Sequence, residues 1–282
     1  MMDMKKVCTM MLAAALALTG AAQAEELFEF SAGSAVTGSS AQGAENAVAA
    51  DWNYPISREI LADPDGVLVL ATKDHLLEKS YPDPSTLVTA TVRKASSSKM
   101  QARDVAYAAL EKMFTEAEAQ GIRLYLKSAY RSYRTQEVMH YNRVQSMGYD
   151  DGMVQAAGAS DHQTGMGFDI VSKSWTDRKM NRDFAKTEEG QWMAAHCAEY
   201  GFIIRYLDGK EDVTGIYYEP WHLRYVGVEV ATYMMANNLT LEEFTEEYQR
   251  ALAAYESGES WDAPLEPEPV PTFGDETDAF TF

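Results

Sequence analysis

Two of the five histidines stand in contexts that suggest metal chemistry. His162 lies seven residues before Asp169, and two glycines between them let the backbone turn tightly or pack closely. His222 lies farther along, at the end of the segment Glu219-Pro220-Trp221-His222. Neutral imidazoles and a carboxylate are the usual ligands of zinc in enzymes. The sequence therefore offers His162, Asp169 and His222 as a candidate ligand set.

Three protein ligands with one open position are typical of catalytic rather than structural zinc sites. Such a site activates water, and a base must lie beside it. Glu219 is a candidate base three residues before His222, although on a regular strand that offset points the two side chains to opposite faces. Pro220 makes regular strand pairing unfavourable there, so a kink can bring both side chains to one site.

Other interpretations remain open from the residues alone. A histidine and an aspartate at this spacing are frequent by chance, and Asp161 is a competing carboxylate next to His162. Glu137 and His140 form another pair three residues apart. The sequence contains no zincin motif, nucleophile elbow or P-loop, so those classes of enzyme are excluded.

Composition narrows the function classes further. The 282 residues are 46% hydrophobic, which is enough for a packed core. The formal charge of −19 would repel a phosphate backbone, so we expect no binding to nucleic acid. Cys8 and Cys197 are the only cysteines, and Cys197 lies in an apolar helical pattern. We interpret Cys197 as a buried structural thiol rather than a nucleophile.

The ends of the chain differ in composition from its middle. Residues 1–24 have a lysine-containing start, an apolar stretch and an Ala-Gln-Ala cleavage pattern, which indicate a signal peptide. Residues 25–50 are predicted to be a flexible linker, and 257–282 a disordered acidic, proline-rich tail. Between them, 51–256 form one domain. We expect an exported protein, periplasmic or extracellular in the cell envelope, with no transmembrane segment in its mature chain.

The domain mixes helical and strand patterns without regular crossover helices. This pattern predicts an α+β fold, in which a small antiparallel sheet is flanked by helices and the zinc site lies on the sheet. Apolar spacing, glycines and a capping box at Thr240 and Glu243 define the elements. The predicted helices are 99–120, 135–147, 188–200 and 240–254. The predicted strands are 67–71, 122–127, 202–206 and 217–226.

Three segments resemble the VanY-type D-alanyl-D-alanine carboxypeptidases, a family of zinc peptidases that act on bacterial cell-wall peptides. They are SAYRSYRTQ at 128–136, SDHQTGMGFDI at 160–170 and GIYYEPWHLRYVG at 215–227. Their order and separations are compatible with the family, and the resemblance spans about 67–254. Two departures are Leu207, where the family often has proline, and Gly167, where alanine is common.

The resemblance implies a role for each matching residue. His162, Asp169 and His222 match the ligands of one zinc ion per chain. Glu219 matches the catalytic base, which takes a proton from the attacking water and passes it to the leaving amine. Arg131 matches an arginine that helps to stabilise the oxyanion.

Two further positions, Ser160 and Gln136, match residues near the substrate in the family. The implied substrates are peptidoglycan stem peptides, from which a D,D-carboxypeptidase removes the terminal D-Ala. The same residues are compatible with an L,D-carboxypeptidase acting on tetrapeptide stems and with an endopeptidase that cuts cross-links. A cell-wall binding protein with this fold but without turnover is the alternative outside enzymes. An intact set of ligands and base argues against it.

Overall fold

The computed structural model describes residues 51–262. It is an α+β domain with a four-stranded antiparallel sheet of order β3-β4-β6-β5 and a separate two-stranded sheet, β1-β2. The strands are β1 Leu87–Thr89, β2 Gln101–Arg103, β3 Tyr125–Ser128, β4 Gly167–Val171, β5 Phe202–Ile204 and β6 His222–Tyr225. The helices are α1 Arg58–Leu61, α2 Asp104–Ala119, α3 Tyr133–Met147, α4 Glu188–His196, α5 Glu211–Thr214, α6 Val228–Ala236 and α7 Leu241–Ser257. The predicted fold class is confirmed.

Strand β4 is the central element that links the core to the site. Phe168 and Ile170 are fully buried in the apolar cluster that also holds Leu110 and Met113 of α2. Because side chains alternate along a strand, Asp169 between them points to the opposite face. The free thiol of Cys197 belongs to the same apolar cluster, as expected for a structural cysteine.

A second apolar cluster lies beneath α6 and α7, and it joins the two ends of the described chain. The Asn53 side chain donates a hydrogen bond to the Trp261 carbonyl at 2.7 Å, and the Trp261 amide donates to Asn53 Oδ1 at 3.0 Å. The Trp261 ring also packs edge-on against Tyr54, with ring centroids 5.4 Å apart. These contacts connect the entry of the domain to the residues that follow α7.

Most predicted helices occur with shifted ends. The helix expected at 99–120 begins only at Asp104, because Gln101–Arg103 instead pair as β2 with Leu87–Thr89. The helix at 135–147 starts two residues earlier, with Ser132 as its N-cap, and ends where Gly148 adopts a left-handed conformation. The helix at 188–200 becomes a 3₁₀ turn from Cys197 onward. The capping box at Thr240 is present, and α7 extends to Ser257.

The strand predicted at 67–71 was wrong. The carbonyls of Val67 and Val69 accept hydrogen bonds from the Arg224 guanidinium, at 2.9 and 2.6 Å, rather than from a neighbouring strand. The amides of Val67 and Leu68 donate to the Asp63 carboxylate. An apolar run therefore became an extended segment whose backbone groups bind charged side chains.

Within 51–262, no helix is both long enough and apolar enough to cross a membrane. The predicted signal peptide and linker, and the predicted tail beyond 262, lie outside the described residues.

Candidate active site

His162, Asp169 and His222 converge on one point of the sheet. Their ligand atoms all lie within 4.8 Å of one another, and all three side chains are buried. Asp169 on β4 lies directly opposite His222 on β6 in the strand register. His162 comes from the 3₁₀ turn Asp161–Thr164 that leads into β4. Strand pairing and one tight turn thus assemble the predicted ligand set.

The hydrogen bonds of His162 indicate which nitrogen faces the site. Its Nδ1 lies 2.8 Å from the Ala129 carbonyl, which only accepts, so Nδ1 carries the proton and Nε2 offers a lone pair. Nε2 faces Asp169 Oδ2 at 3.3 Å. Burial lowers the pKa of His162 more than the Asp169 carboxylate raises it, which favours a neutral ring. The lone pair of His162 Nε2 and the carboxylate oxygen Oδ2 of Asp169 then face each other. A cation between these two atoms would satisfy both.

His222 contributes its Nδ1 atom. This nitrogen lies 2.9 Å from Asp169 Oδ1, whereas Nε2 is buried without a hydrogen-bond partner among the described residues. The ring packs against Tyr206, with centroids 5.3 Å apart. Two imidazole nitrogens and one carboxylate fit the donor set of a zinc site with an open position.

The competing ligand Asp161 points elsewhere. Its carboxylate accepts hydrogen bonds from the buried guanidinium groups of Arg205 and Arg224. Burial by itself raises the pKa of Asp161, but these two arginines outweigh it and lower the pKa to about 2. Asp161 therefore does not belong to the ligand set, although it precedes His162 in the chain.

Glu219 reaches the same site because the chain turns at Pro220. The His222 amide donates to the Glu219 carbonyl at 3.0 Å, which closes a four-residue turn. Consequently Glu219 Oε2 lies 3.9 Å from His222 Nδ1. The strand predicted at 217–226 is limited to His222–Tyr225 for this reason. Pro220 produces the kink that the sequence allowed.

The surroundings of Glu219 suit a proton acceptor. Burial is the largest effect and raises its pKa to about 7, with a further increase from Asp169 and an opposing effect of His222 and Arg131. A carboxyl group whose pKa lies near neutrality exchanges protons readily at physiological pH. A raised pKa of this kind is typical of a general base whose carboxyl group is buried at the edge of a cleft.

Arg131 lies in the short segment between β3 and α3 and also lines the cleft. Its amide donates to the His162 carbonyl at 3.0 Å. This hydrogen bond fixes the segment after β3 to the 3₁₀ turn Asp161–Thr164, called the ligand turn below. Its guanidinium donates to Gln136 Oε1 at 2.7 Å, and Gln136 is buried at the start of α3. Burial lowers the pKa of Arg131, but an arginine stays charged at neutral pH.

All seven predicted site residues line one cavity of about 180 Å³. They are Arg131, Gln136, Ser160, His162, Asp169, Glu219 and His222. The structure thus brings together residues from the three segments 128–136, 160–170 and 215–227. The cavity is open to solvent and offers charged groups of both signs around the candidate metal position.

Several lining residues had no signal in the sequence. Tyr206, Met139 and Met153 border the cavity, and Tyr206 is 6% exposed. Trp221 is buried in the core cluster and also reaches the cavity. Their position depends on how β5 and the segment after α3 fold against the sheet, which spacing along the chain does not reveal.

Comparison with known proteins identifies the family of this chain. A family model described as VanY, D-alanyl-D-alanine carboxypeptidase, matches residues 99–228. YodJ of Bacillus subtilis is 40% identical over 197 residues, which cover 68% of this chain and 71% of YodJ. The chain belongs to the VanY-type carboxypeptidase family. A D-alanyl-D-alanine carboxypeptidase of Enterococcus faecium is 34% identical over 139 residues, which cover 49% of this chain and 42% of that protein.

Solved structures of carboxypeptidases also resemble this chain. The LdcB LD-carboxypeptidase superposes with a TM-score of 0.61 at 40% identity, covering 65% of this chain and 87% of LdcB. A VanY D,D-pentapeptidase from a VanB-type resistance cassette, solved with Zn(II), superposes with a TM-score of 0.52 at 26% identity, covering 64% and 98%. This VanY-type fold therefore occurs in relatives named for D,D- and for L,D-cleavage.

Proposed function

We propose that this chain is an exported, zinc-dependent carboxypeptidase that removes the terminal D-Ala of peptidoglycan stem peptides, with D-alanyl-D-alanine ends as its substrates. The carrying observation is that His162, Asp169 and His222 converge in the cleft that Glu219 and Arg131 border. A related VanYB structure was solved with D-alanine-D-alanine, at 25% identity and a TM-score of 0.53, which supports this class of substrate.

Each polar residue of the cleft has a distinct task in such a hydrolysis. Zinc held by the three ligands would polarise the scissile carbonyl and activate a water molecule. Glu219 accepts the proton of the attacking water and donates it to the departing amine. The Arg131 guanidinium, held by Gln136, stabilises the negative charge that develops on the carbonyl oxygen. Ser160 lines the same cavity, and in this proposal it binds the peptide.

A second candidate is L,D-cleavage, in which the terminal D-Ala leaves a tetrapeptide stem. The 40% identity to the LdcB LD-carboxypeptidase favours it, compared with 26% to the VanY D,D-pentapeptidase. The ligands, Glu219 and Arg131 serve both reactions equally, because each reaction hydrolyses an amide bond whose leaving group is D-Ala. The two differ in the stereochemistry of the residue before the scissile bond.

The remaining parts of the proposal concern residues outside the described range. A signal peptide at 1–24 would export the chain to the compartment where peptidoglycan lies. The linker at 25–50 and the tail through 282 would flank the catalytic domain.

The deciding experiment incubates zinc-loaded protein, starting at Glu25, with a pentapeptide stem ending in D-Ala-D-Ala and separately with its tetrapeptide. Mass spectrometry identifies the products. Loss of one D-Ala from the pentapeptide alone supports D,D-cleavage, and loss from the tetrapeptide supports L,D-cleavage. Failure of the folded, zinc-loaded protein to cleave either peptide would contradict both candidates.

The Glu219→Gln variant tests the proposed base. We expect kcat to fall about 100- to 10,000-fold while zinc remains bound, because the amide keeps the shape but does not accept the proton. Glu256→Gln is the matched control, since Glu256 is exposed on α7 away from the cleft lining. Full activity of Glu219→Gln would exclude this mechanism.

A further inference from the structure

A network of buried charges lies behind the candidate metal ligands. Asp161, Arg205 and Arg224 are each at most 1% exposed, and the partly buried Glu242 completes the set. Arg205 Nε donates to Asp161 Oδ2 at 2.6 Å, and Arg224 Nη1 donates to Asp161 Oδ1. The other two nitrogens of Arg205 bind the two oxygens of Glu242, at 2.8 and 2.6 Å.

Each of the three fully buried residues belongs to a segment that carries or contacts a candidate metal ligand. Asp161 directly precedes His162 in the 3₁₀ turn. Arg224 lies two residues after His222 on β6. The Arg205 amide donates to the His222 carbonyl at 3.1 Å. The Asp161 carboxylate therefore connects, through two guanidinium groups, the backbone segments that hold the two histidines.

Stability alone is a weak reason for such a network. Removing three charged groups from water is costly, and replacing a buried ion pair by apolar side chains is often neutral or stabilising. What the network supplies is directional geometry, because a planar guanidinium fixes the distance and angle between the groups that it joins. Arg224 Nη2 also donates to the carbonyls of Val67 and Val69, and these two contacts anchor the same strand.

We propose that Asp161 is a positioning residue that fixes the spacing of His162 and His222 before the metal binds. The metal then binds to a preformed site and does not have to order its ligands. Asp161 itself touches neither the metal position nor the substrate cleft. This inference rests on the metal site of the proposed function, and it goes beyond the ligands, base and arginine assigned there.

The test compares zinc affinity in the Asp161→Asn variant and in the unaltered protein. Metal-free protein is titrated with zinc against a chromogenic chelator at neutral pH. We expect the zinc Kd to rise about 10- to 100-fold, the usual effect of losing groups that orient metal ligands. Asp161→Glu keeps the charge and should restore part of the affinity.

Glu247→Gln is the control for general loss of stability. Glu247 is a buried carboxylate of α7 that accepts a hydrogen bond from Tyr233 in the second apolar cluster, apart from the ligands. The midpoint of thermal unfolding is measured for every variant without metal. A lowered midpoint with an unchanged zinc Kd is expected for Glu247→Gln. The same pattern in Asp161→Asn would overturn the proposal.

Glu242→Gln is a milder variant that tests the positioning role of the network if Asp161→Asn does not fold. It leaves Asp161 and both arginines in place and weakens only the outer support of Arg205. We expect a rise of about three- to tenfold in the zinc Kd, and a Kd within twofold of the unaltered protein overturns the proposal. If the unaltered protein itself binds no zinc, the proposed metal site fails instead.

Discussion

Arg131 illustrates how one residue links the site to the fold. Its backbone amide holds the ligand turn through the His162 carbonyl, and its side chain is oriented by Gln136 and Ser128. A lysine would keep the charge but lose the planar fork that makes both side-chain contacts. The position of the guanidinium is thus set before a substrate arrives.

We therefore expect Arg131→Ala to lower kcat about 100- to 1,000-fold, the cost of removing an oxyanion-stabilising donor. Arg131→Lys should recover only part of that loss, because the charge returns without the paired hydrogen bonds. Steady-state kinetics on the stem peptide measures both variants. Equal activity of the lysine variant and the unaltered protein would show that charge alone is sufficient.

The burial of Cys197 predicts that its thiol is unreactive in the folded protein. Burial raises the pKa of its thiol to about 12, so the thiol stays protonated and hidden at pH 8. Protein starting at Glu25 contains this single cysteine. It should not react with a chromogenic disulfide reagent at pH 8 while folded and should release one equivalent of colour in denaturant. Rapid labelling of the folded protein would place Cys197 at an accessible position.

At the scale of elements, β4 and the ligand turn approach each other closely at Gly167. A Cβ atom added at Gly167 would lie 2.9 Å from the Asp161 carbonyl carbon and 3.0 Å from its oxygen. Both are backbone atoms, so the turn itself would have to move. The departure from the common family alanine at this position therefore has a physical reason in this chain.

Gly167→Ala should destabilise the protein by about 1–3 kcal/mol through overpacking and should weaken zinc binding, because the displaced turn carries His162. Urea unfolding and chelator competition measure the two effects. Gly209→Ala is the control, since a Cβ atom at Gly209 meets nothing within 4 Å, so any loss of stability there comes from its positive φ and not from overpacking. Wild-type zinc affinity in Gly167→Ala would mean that the turn moves without its histidine.

The elements also show where sequence reasoning succeeded. Asp169 and His222 were identified by residue type and motif, and Thr240 by its capping box, because such signals are local. The strand expected at 67–71 failed, since Arg224 binds those carbonyls from 155 to 157 residues away. Likewise, β2 replaced the start of a helix because Leu87–Thr89 offered a partner strand. Contacts distant in sequence decided both cases.

For the molecule as a whole, metal binding should couple to folding. A ligand that binds only the native state stabilises it, by about 2.7 kcal/mol at a concentration of 100 Kd. Zinc should thus raise the Tm of metal-free protein in a concentration-dependent way. The His162→Ala and His222→Ala variants should lose most of that shift. A shift that persists in both variants would indicate a zinc site elsewhere.

The mutual hydrogen bonds of Asn53 and Trp261 have a consequence for the order of the chain. Because they hold the two ends of the described domain side by side, a short peptide can join those ends. The exposed turn at Gly209 is then a natural place to cut, since it lies beside no metal ligand. A circularly permuted domain opened there should keep the sheet register of Asp169 and His222, and with it the geometry on which the chemistry depends.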